Sequence, residues 1–314
     1  MDTFVQTFES VAMLLAIGVL GFWVLSRGIM PASALRFLGR LALEVALPCL
    51  VFVKIVEQFD PAKHPRWWVL PLWWGAFTAV AAVLTLLATR MARREDRPEF
   101  GLTLFYQNAT FFPLAIITQM YGGDSRHVVD LFFFVMFFGA FMFSTYRVFF
   151  ERKLQLADWK KVLHPVFVVT VVALLMRLTG GDRVIPEFLR SALQMVGGMT
   201  VPLLMLILGG SIYLDFQESG RLRVGEVVKF VAVKNFAFPL VFLLLLLVIR
   251  PARHVALMVM LQAAVPPVTS APVLVDRESG NRPVASQYLV ASFVVSLVSL
   301  PLMLWLFESY FGGG

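Results

Sequence analysis

Uninterrupted apolar runs constrain this chain more than any other feature, recurring from end to end at lengths of about fifteen to twenty-five residues. A backbone crossing hydrocarbon must satisfy its own N–H and C=O groups, so only helices and closed barrels span a bilayer. Barrel strands are much shorter and alternate in polarity, and no such alternation is present. The runs predict an all-α polytopic membrane protein. Composition agrees, with 59% hydrophobic and 15% charged residues among 314 and a mean hydropathy of +0.80. A soluble domain carries roughly half apolar and a quarter charged residues.

The formal net charge of +7 would suggest a nucleic-acid partner in a soluble chain. Here the basic residues fall in short loops between the runs, where they orient helices. No nucleic acid is expected, and the surrounding partner is membrane lipid. Cys49 is the single cysteine, which excludes a disulfide and a thiol metal site. His64, His127, His164 and His254 fall near the ends of different runs, so no metal-ligand spacing arises. No nucleophile–base pair stands in mid-run, so no enzyme and no cofactor is expected. Asp2 and Glu9 precede the first run without a basic residue, unlike a signal peptide, and this run reads as a retained span.

Ten spans are predicted: 11–26, 37–57, 67–89, 101–121, 129–150, 164–178, 189–213, 227–249, 254–275 and 284–308. Of 27 Lys and Arg residues, 17 fall after odd-numbered spans and 9 after even-numbered ones. The positive-inside rule then predicts cytoplasmic odd loops and both termini outside. An offset of 154 residues lays Pro48 on Pro202, Pro113 on Pro267 and Asn108 on Gln262. The same offset brings spans 1–5 onto spans 6–10. Five spans per half would invert one half against the other, an arrangement typical of secondary transporters. The domains expected are a first repeat at 1–150, a cytoplasmic link at 151–161 ("ERKLQLADWKK") and a second repeat at 162–314.

The stretch "YQNATFFPLAIITQMYG" from Tyr106 to Gly122 places Gln107 and Asn108 about a turn before Pro113. Proline has no N–H and crowds the carbonyl four residues back, here that of Ala109. Pro266 and Pro267 act likewise on Gln262 and Ala263. A freed carbonyl in hydrocarbon costs several kcal/mol unless protein, water or ligand satisfies it. Broken helices 4 and 9 are therefore expected to face a cavity holding a substrate site. Thr269 and Ser270 follow the second break and could line it. Lys234 and Asn235 precede Pro239 in span 8; the ammonium either attracts an anion or reaches toward the cytoplasm. Glu44, one turn before Pro48, is the candidate for carrying coupling protons. The phenylalanine-rich "LFFFVMFFGAFMF" in span 5 reads as lipid-facing and packing surface.

The motifs "LPCLVFVKI", "YQNATFFPLAI", "LHPVFVVTVVALLM", "VPLLMLILGGSIYL", "KNFAFPLVF" and "LQAAVPPVTSAPVLV" resemble, in this order, the auxin efflux carrier family, including its bacterial malonate and organic-acid permeases. The resemblance covers essentially the whole chain. It implies a fold related to bile-acid sodium symporters and sodium/proton antiporters. Spans 1, 2, 6 and 7 would form a scaffold, often a dimer contact. Spans 3–5 and 8–10 would form a transport domain in which broken helices 4 and 9 cross. The long central loop of the plant carriers is absent, so auxin itself is not carried over as substrate. The expected function is secondary transport of a small organic anion across a bacterial inner membrane, coupled to protons, to sodium or to neither. The alternatives are a passive channel and a ligand-binding membrane sensor.

Overall fold

The computed structural model describes residues 2–62, 65–150, 165–218 and 222–312. The link at 151–161, His64 and His164 lie outside them. Among the described residues the chain is helical, and its only β-type pairing is one antiparallel bridge, Gln107 with Pro267.

Among the described residues six helices are long and apolar enough to cross a membrane: Phe4–Ser26, Val69–Met91, Arg126–Phe150, Glu187–Leu214, Val224–Ile249 and Arg282–Phe311. The other four apolar runs are shorter or interrupted. The second is split by a π turn at Ala42–Ala46 between α2 (Ala32–Leu41) and α3 (Leu47–Gln58). The fourth divides into α5 (Arg97–Phe105) and α6 (Phe111–Tyr121), after α1 (Asp2–Ser26) and α4 (Val69–Ala88). The fifth contains α7 (Arg126–Phe134) and α8 (Phe138–Thr145). In the second half, α9 (Pro165–Thr179) is a short apolar helix. It is followed by α10 (Glu187–Gly198) and α11 (Thr200–Glu218). Next come α12 (Val224–Val231), a π turn at Ala232–Ala237 and α13 (Phe238–Ile249). The ninth run divides into α14 (Arg253–Ala264) and α15 (Ala271–Arg277), and α16 (Arg282–Phe311) closes the chain.

Each π turn is followed closely by a proline, Pro48 or Pro239, within the first two residues of the next helix. A proline N–H is missing at that point, and one wider turn lets the helix continue without the ring meeting the preceding carbonyl.

Glycines set the closest helix contact. A β-carbon on Gly21 of α1 would stand 2.2 Å from the Leu206 carbonyl oxygen of α11. One on Gly209 would stand 1.7 Å from the Gly18 oxygen. Small residues let backbones touch where lipid supplies no hydrophobic drive for association. α3 packs on α9 and α10, and α2 on α11, around the same crossing. A second set of neighbours links α4 with α5 and α7, and α16 with α12, α14 and α15; α1 also touches α6 and α16.

The phenylalanine run is more buried than its sequence suggests. Phe132, Phe133 and Phe134 are buried, Phe133 lying 4.9 Å from Phe59 and 5.2 Å from Trp67. The turn at 135–137 ends α7, and Phe137 beyond it is exposed.

Candidate functional site

The two interruptions meet. α5 ends at Phe105 and Tyr106 turns extended (φ −91°, ψ 105°). α14 ends at Ala264, and Val265 is extended (φ −69°, ψ 151°), as a residue before proline prefers. The unwound strands then pair antiparallel. Asn108 N donates to Pro266 O at 2.9 Å, and Val268 N donates to Tyr106 O at 2.8 Å. Two backbone bonds thus replace helical partners that Pro266 and the breaks remove.

Side chains complete the crossing. Gln107 Nε2 donates to Gln262 Oε1 at 3.3 Å, and Gln262 Nε2 donates to the Ala109 carbonyl at 2.7 Å. That carbonyl lies in the break, one residue before the N-cap of α6, and Gln262 is its donor. Asn108 Oδ1 accepts from Phe111 N at 3.3 Å and so caps the start of α6. Its Nδ2 is buried and has no hydrogen-bond partner. Gln107, Asn108 and Gln262 are all at most 4% exposed. An unpaired amide donor in such a place costs about 1–3 kcal/mol. It can be satisfied by an acceptor that enters.

Pro113 is the third residue of α6 and Pro272 the second of α15. Both start helices, where an N–H has no internal partner to lose, and Pro266 and Pro267 sit in the break itself. The 154 offset that aligns the prolines therefore does not align the breaks. The bridge partners 107 and 267, and the helix starts 111 and 271, are each 160 apart. In that register Tyr106 pairs with the counterpart of Asn108, and Asn108 with the counterpart of Tyr106, as flanking residues of an antiparallel bridge do. Asn108 then corresponds to Val268, and Gln262 lies back inside α14. The two amides share one site from unequal positions.

Thr269 and Ser270 are half-buried in the turn before α15. Lys234 and Asn235 lie on the π turn of the eighth run, which packs on α14 and α16. Asn235 is saturated: its Nδ2 donates to Ser292 O at 3.0 Å and Ser299 Oγ at 3.1 Å, and its Oδ1 accepts from Ser292 Oγ at 2.8 Å. Lys234 is 1% exposed, its Nζ has no hydrogen-bond partner, and it stands 4.9 Å from the Phe238 ring centre. Glu44 is exposed on the first π turn and does not join the crossing.

A narrow cleft opens beside the crossing, lined by Trp74, Phe77, Thr78, Ala81, Phe105, Tyr106, Gln107, Phe138 and Phe141. Gln107 gives it a polar end, and the buried Trp74 Nε1 has no hydrogen-bond partner. Tyr106 Oη is 2.7 Å from Thr145 Oγ1, tying the break to α8. These aromatic walls were not legible as a site, because aromatic residues in an apolar run also fit ordinary packing. Among the described residues no group of three His, Cys, Asp or Glu side chains could hold a metal ion.

Charged side chains gather away from the crossing. Lys54 of α3 pairs with Asp124 at 3.0 Å, and Gln58 donates to Asp124 and to the Gly123 carbonyl. Tyr121 donates to Glu308 at 3.0 Å, and Glu308 also pairs with Arg253 at 2.7 Å. A separate network joins Arg223 to Asp96 and Glu95, and Glu226 to Lys229 and Arg93.

Comparison with known proteins adds a family. The family model described as "Membrane transport protein" matches residues 6–304. A curated protein of Saccharomyces cerevisiae, described as "Uncharacterized transporter YBR287W", is 27% identical over 84 residues. That alignment covers 27% of this chain and 20% of the yeast protein, so the chain spans about a fifth of that relative's length.

Proposed function

From a chain that belongs to the membrane transport protein family of auxin efflux carriers, we propose a secondary transporter that moves a small organic anion by alternating access. The observation that carries the reading is the bare Asn108 Nδ2 at the paired breaks. A carboxylate there would accept from this amide. The α6 start beside it adds backbone N–H groups and a partial positive charge that favour an anion. Gln107 and Gln262 would fix its orientation, with Thr269, Ser270 and the prolines shaping the wall. Lys234 would supply attraction from span 8 if the anion or its own movement brings the two together.

The same reading arranges ten spans as two inverted halves, 1–150 and 162–314. Support comes from the reciprocal pairing of the breaks. The helices around the α1–α11 crossing would serve as scaffold, with a homodimer through them, and the rest would form the moving domain. Both termini would face outside a bacterial cell membrane, as the basic-residue count suggests.

Counterflow in proteoliposomes tests the function. Vesicles loaded with malonate should take up labelled malonate in a saturable, trans-stimulated manner. Unsaturable conductance would favour a passive channel, and binding without flux a sensor.

A further inference from the structure

We propose that Glu99 binds a proton, and that this proton couples to transport at the crossing; the coupling half rests on the transport reading above. Glu99 lies in the first turn of α5, is 3% exposed, and divides its two oxygens sharply. Oε1 accepts from the Asn281 backbone N at 2.7 Å, which fastens the first interrupted pair of helices to the start of α16. Oε2 is buried and has no hydrogen-bond partner. An ionised carboxylate wants acceptor bonds at both oxygens, and a bare buried one is costly. A proton on Oε2 removes the charge and leaves the Asn281 bond on Oε1 in place.

The neighbours set opposing influences. The start of α5, the Asn281 N–H and the Arg223 guanidinium favour the ionised form, whereas burial and the nearby Asp96 favour the neutral one. Arg223 is already engaged with Asp96 and Glu95, and Glu226 with Lys229 and Arg93, so among the described residues no cation is dedicated to Glu99. On the adjoining 3-10 turn Tyr146–Phe150, Arg147 pairs with Glu278 at 3.0 Å. A second group points to the same ligand. Tyr288 of α16 is fully buried and its hydroxyl has no hydrogen-bond partner. It stacks on Phe230 at 4.5 Å and meets the Phe100 ring of α5, the residue next to Glu99, at 5.7 Å. Its hydroxyl is a second buried polar group on an element packed against α5 that has no hydrogen-bond partner.

The site also fits a coupling role by connectivity. Glu99 belongs to α5, which leads to Gln107 and Asn108, and its bond reaches the loop that follows α15. Gly280 in that loop has no room for a β-carbon, which would meet Glu99 Oε1 at 2.9 Å and Phe150 at 2.7 Å. Loading or emptying the carboxyl therefore acts on both interrupted helices together. Glu44, exposed on its π turn, has no comparable link.

Infrared difference spectroscopy of reconstituted wild type and Glu99→Gln across pH tests the proton site without any substrate. The wild type should show a titrating C=O band of a protonated carboxyl, unchanged by sodium at fixed pH and absent from Glu99→Gln. A band that persists in the variant, or that follows sodium instead of pH, overturns the proposal. Glutamine retains an oxygen for the Asn281 N–H, so the loop stays fastened; Glu99→Asp serves as a second variant with a carboxyl that still titrates. In proteoliposomes with the membrane potential clamped at zero, one proton coupled per malonate limits accumulation to about tenfold per pH unit across the membrane. Glu99→Gln should lose that accumulation and keep malonate exchange, and gradient-driven accumulation in the variant overturns the coupling. Absence of malonate counterflow in the wild type would count against the transport reading alone, since the infrared result stands without it.

Discussion

Two neighbourhoods bury amides in the apolar interior, and they differ in one respect. At Asn235 every polar atom of the side chain has a partner on α16, through Ser292 and Ser299. At Asn108 the oxygen caps α6 while the nitrogen stays bare. Saturation marks an amide that holds helices together, and an open donor marks one that can receive something. Lys234, next to Asn235, belongs with the second kind, since its ammonium has only the face of Phe238.

Breaking the saturated site should have the largest effect on folding. Asn235→Ala strands the Ser292 and Ser299 groups, at about 1–3 kcal/mol for each buried group left unpaired. Thermal unfolding in detergent should fall steeply, while malonate affinity in the surviving protein stays unchanged. A folded variant with lost affinity would erase the distinction.

Asn108→Ala should show the reverse. The fold loses one cap, worth about 1 kcal/mol, and apparent malonate affinity falls by about 1–3 kcal/mol in counterflow. Gln262→Ala strands the Ala109 carbonyl and should weaken binding as well. The double variant should lose less than the sum, with a coupling of about 0.5–3 kcal/mol, because both serve one ligand. Additive losses would separate the two amides into independent sites.

Lys234→Met sharpens the comparison from the other side. Removing an unpaired buried amine should stabilise the fold by on the order of 1 kcal/mol or more, read as a higher unfolding temperature, and should reduce malonate affinity. A destabilised variant would show that Lys234 has a structural partner.

The smallest expected effect lies at the end of the sixth run, where Arg177 in the last turn of α9 pairs with Asp182 beyond it at 2.7 Å and also donates to the Phe59 carbonyl at 2.6 Å. The hydrogen bond from Arg177 holds the Asp182 carboxyl below its usual range. Its contribution is therefore present above the unfolded aspartate pKa of about 3.9 and fades as pH falls through the lower folded value. Asp182→Asn should lower the unfolding temperature slightly at neutral pH. The gap to the wild type should close in acid, and a constant gap would remove the ion pair from the account.

Helical class and the polar interruptions were legible because each rests on local chemistry: apolar length, an amide, a proline. Asn108, Gln262, Pro266 and Pro267 could be picked out one by one. Their register could not. The offset of the prolines is a property of spelling, whereas the offset of the breaks depends on where the chain unwinds, and Pro113 proves to begin a helix. Nor could the sequence separate Lys234 from Asn235, since their partners come from a helix more than fifty residues away or do not exist. Whether Glu44 faces inward or outward could not be read, because an apolar run hides which face turns outward. Glu99 was not singled out at all, because its burial depends on the loop before α16, which is distant in sequence.

The α1–α11 crossing has a consequence for heredity. Every amino acid other than glycine carries a β-carbon, so any missense codon change at Gly21 or Gly209 drives an atom into backbone that has no room for it. These codons should tolerate only silent changes. Gly39, Gly75 and Gly198, where a β-carbon would meet nothing within 4 Å, should drift freely. A saturation library selected for membrane insertion would then show empty columns at Gly21 and Gly209 and filled ones at Gly39, Gly75 and Gly198.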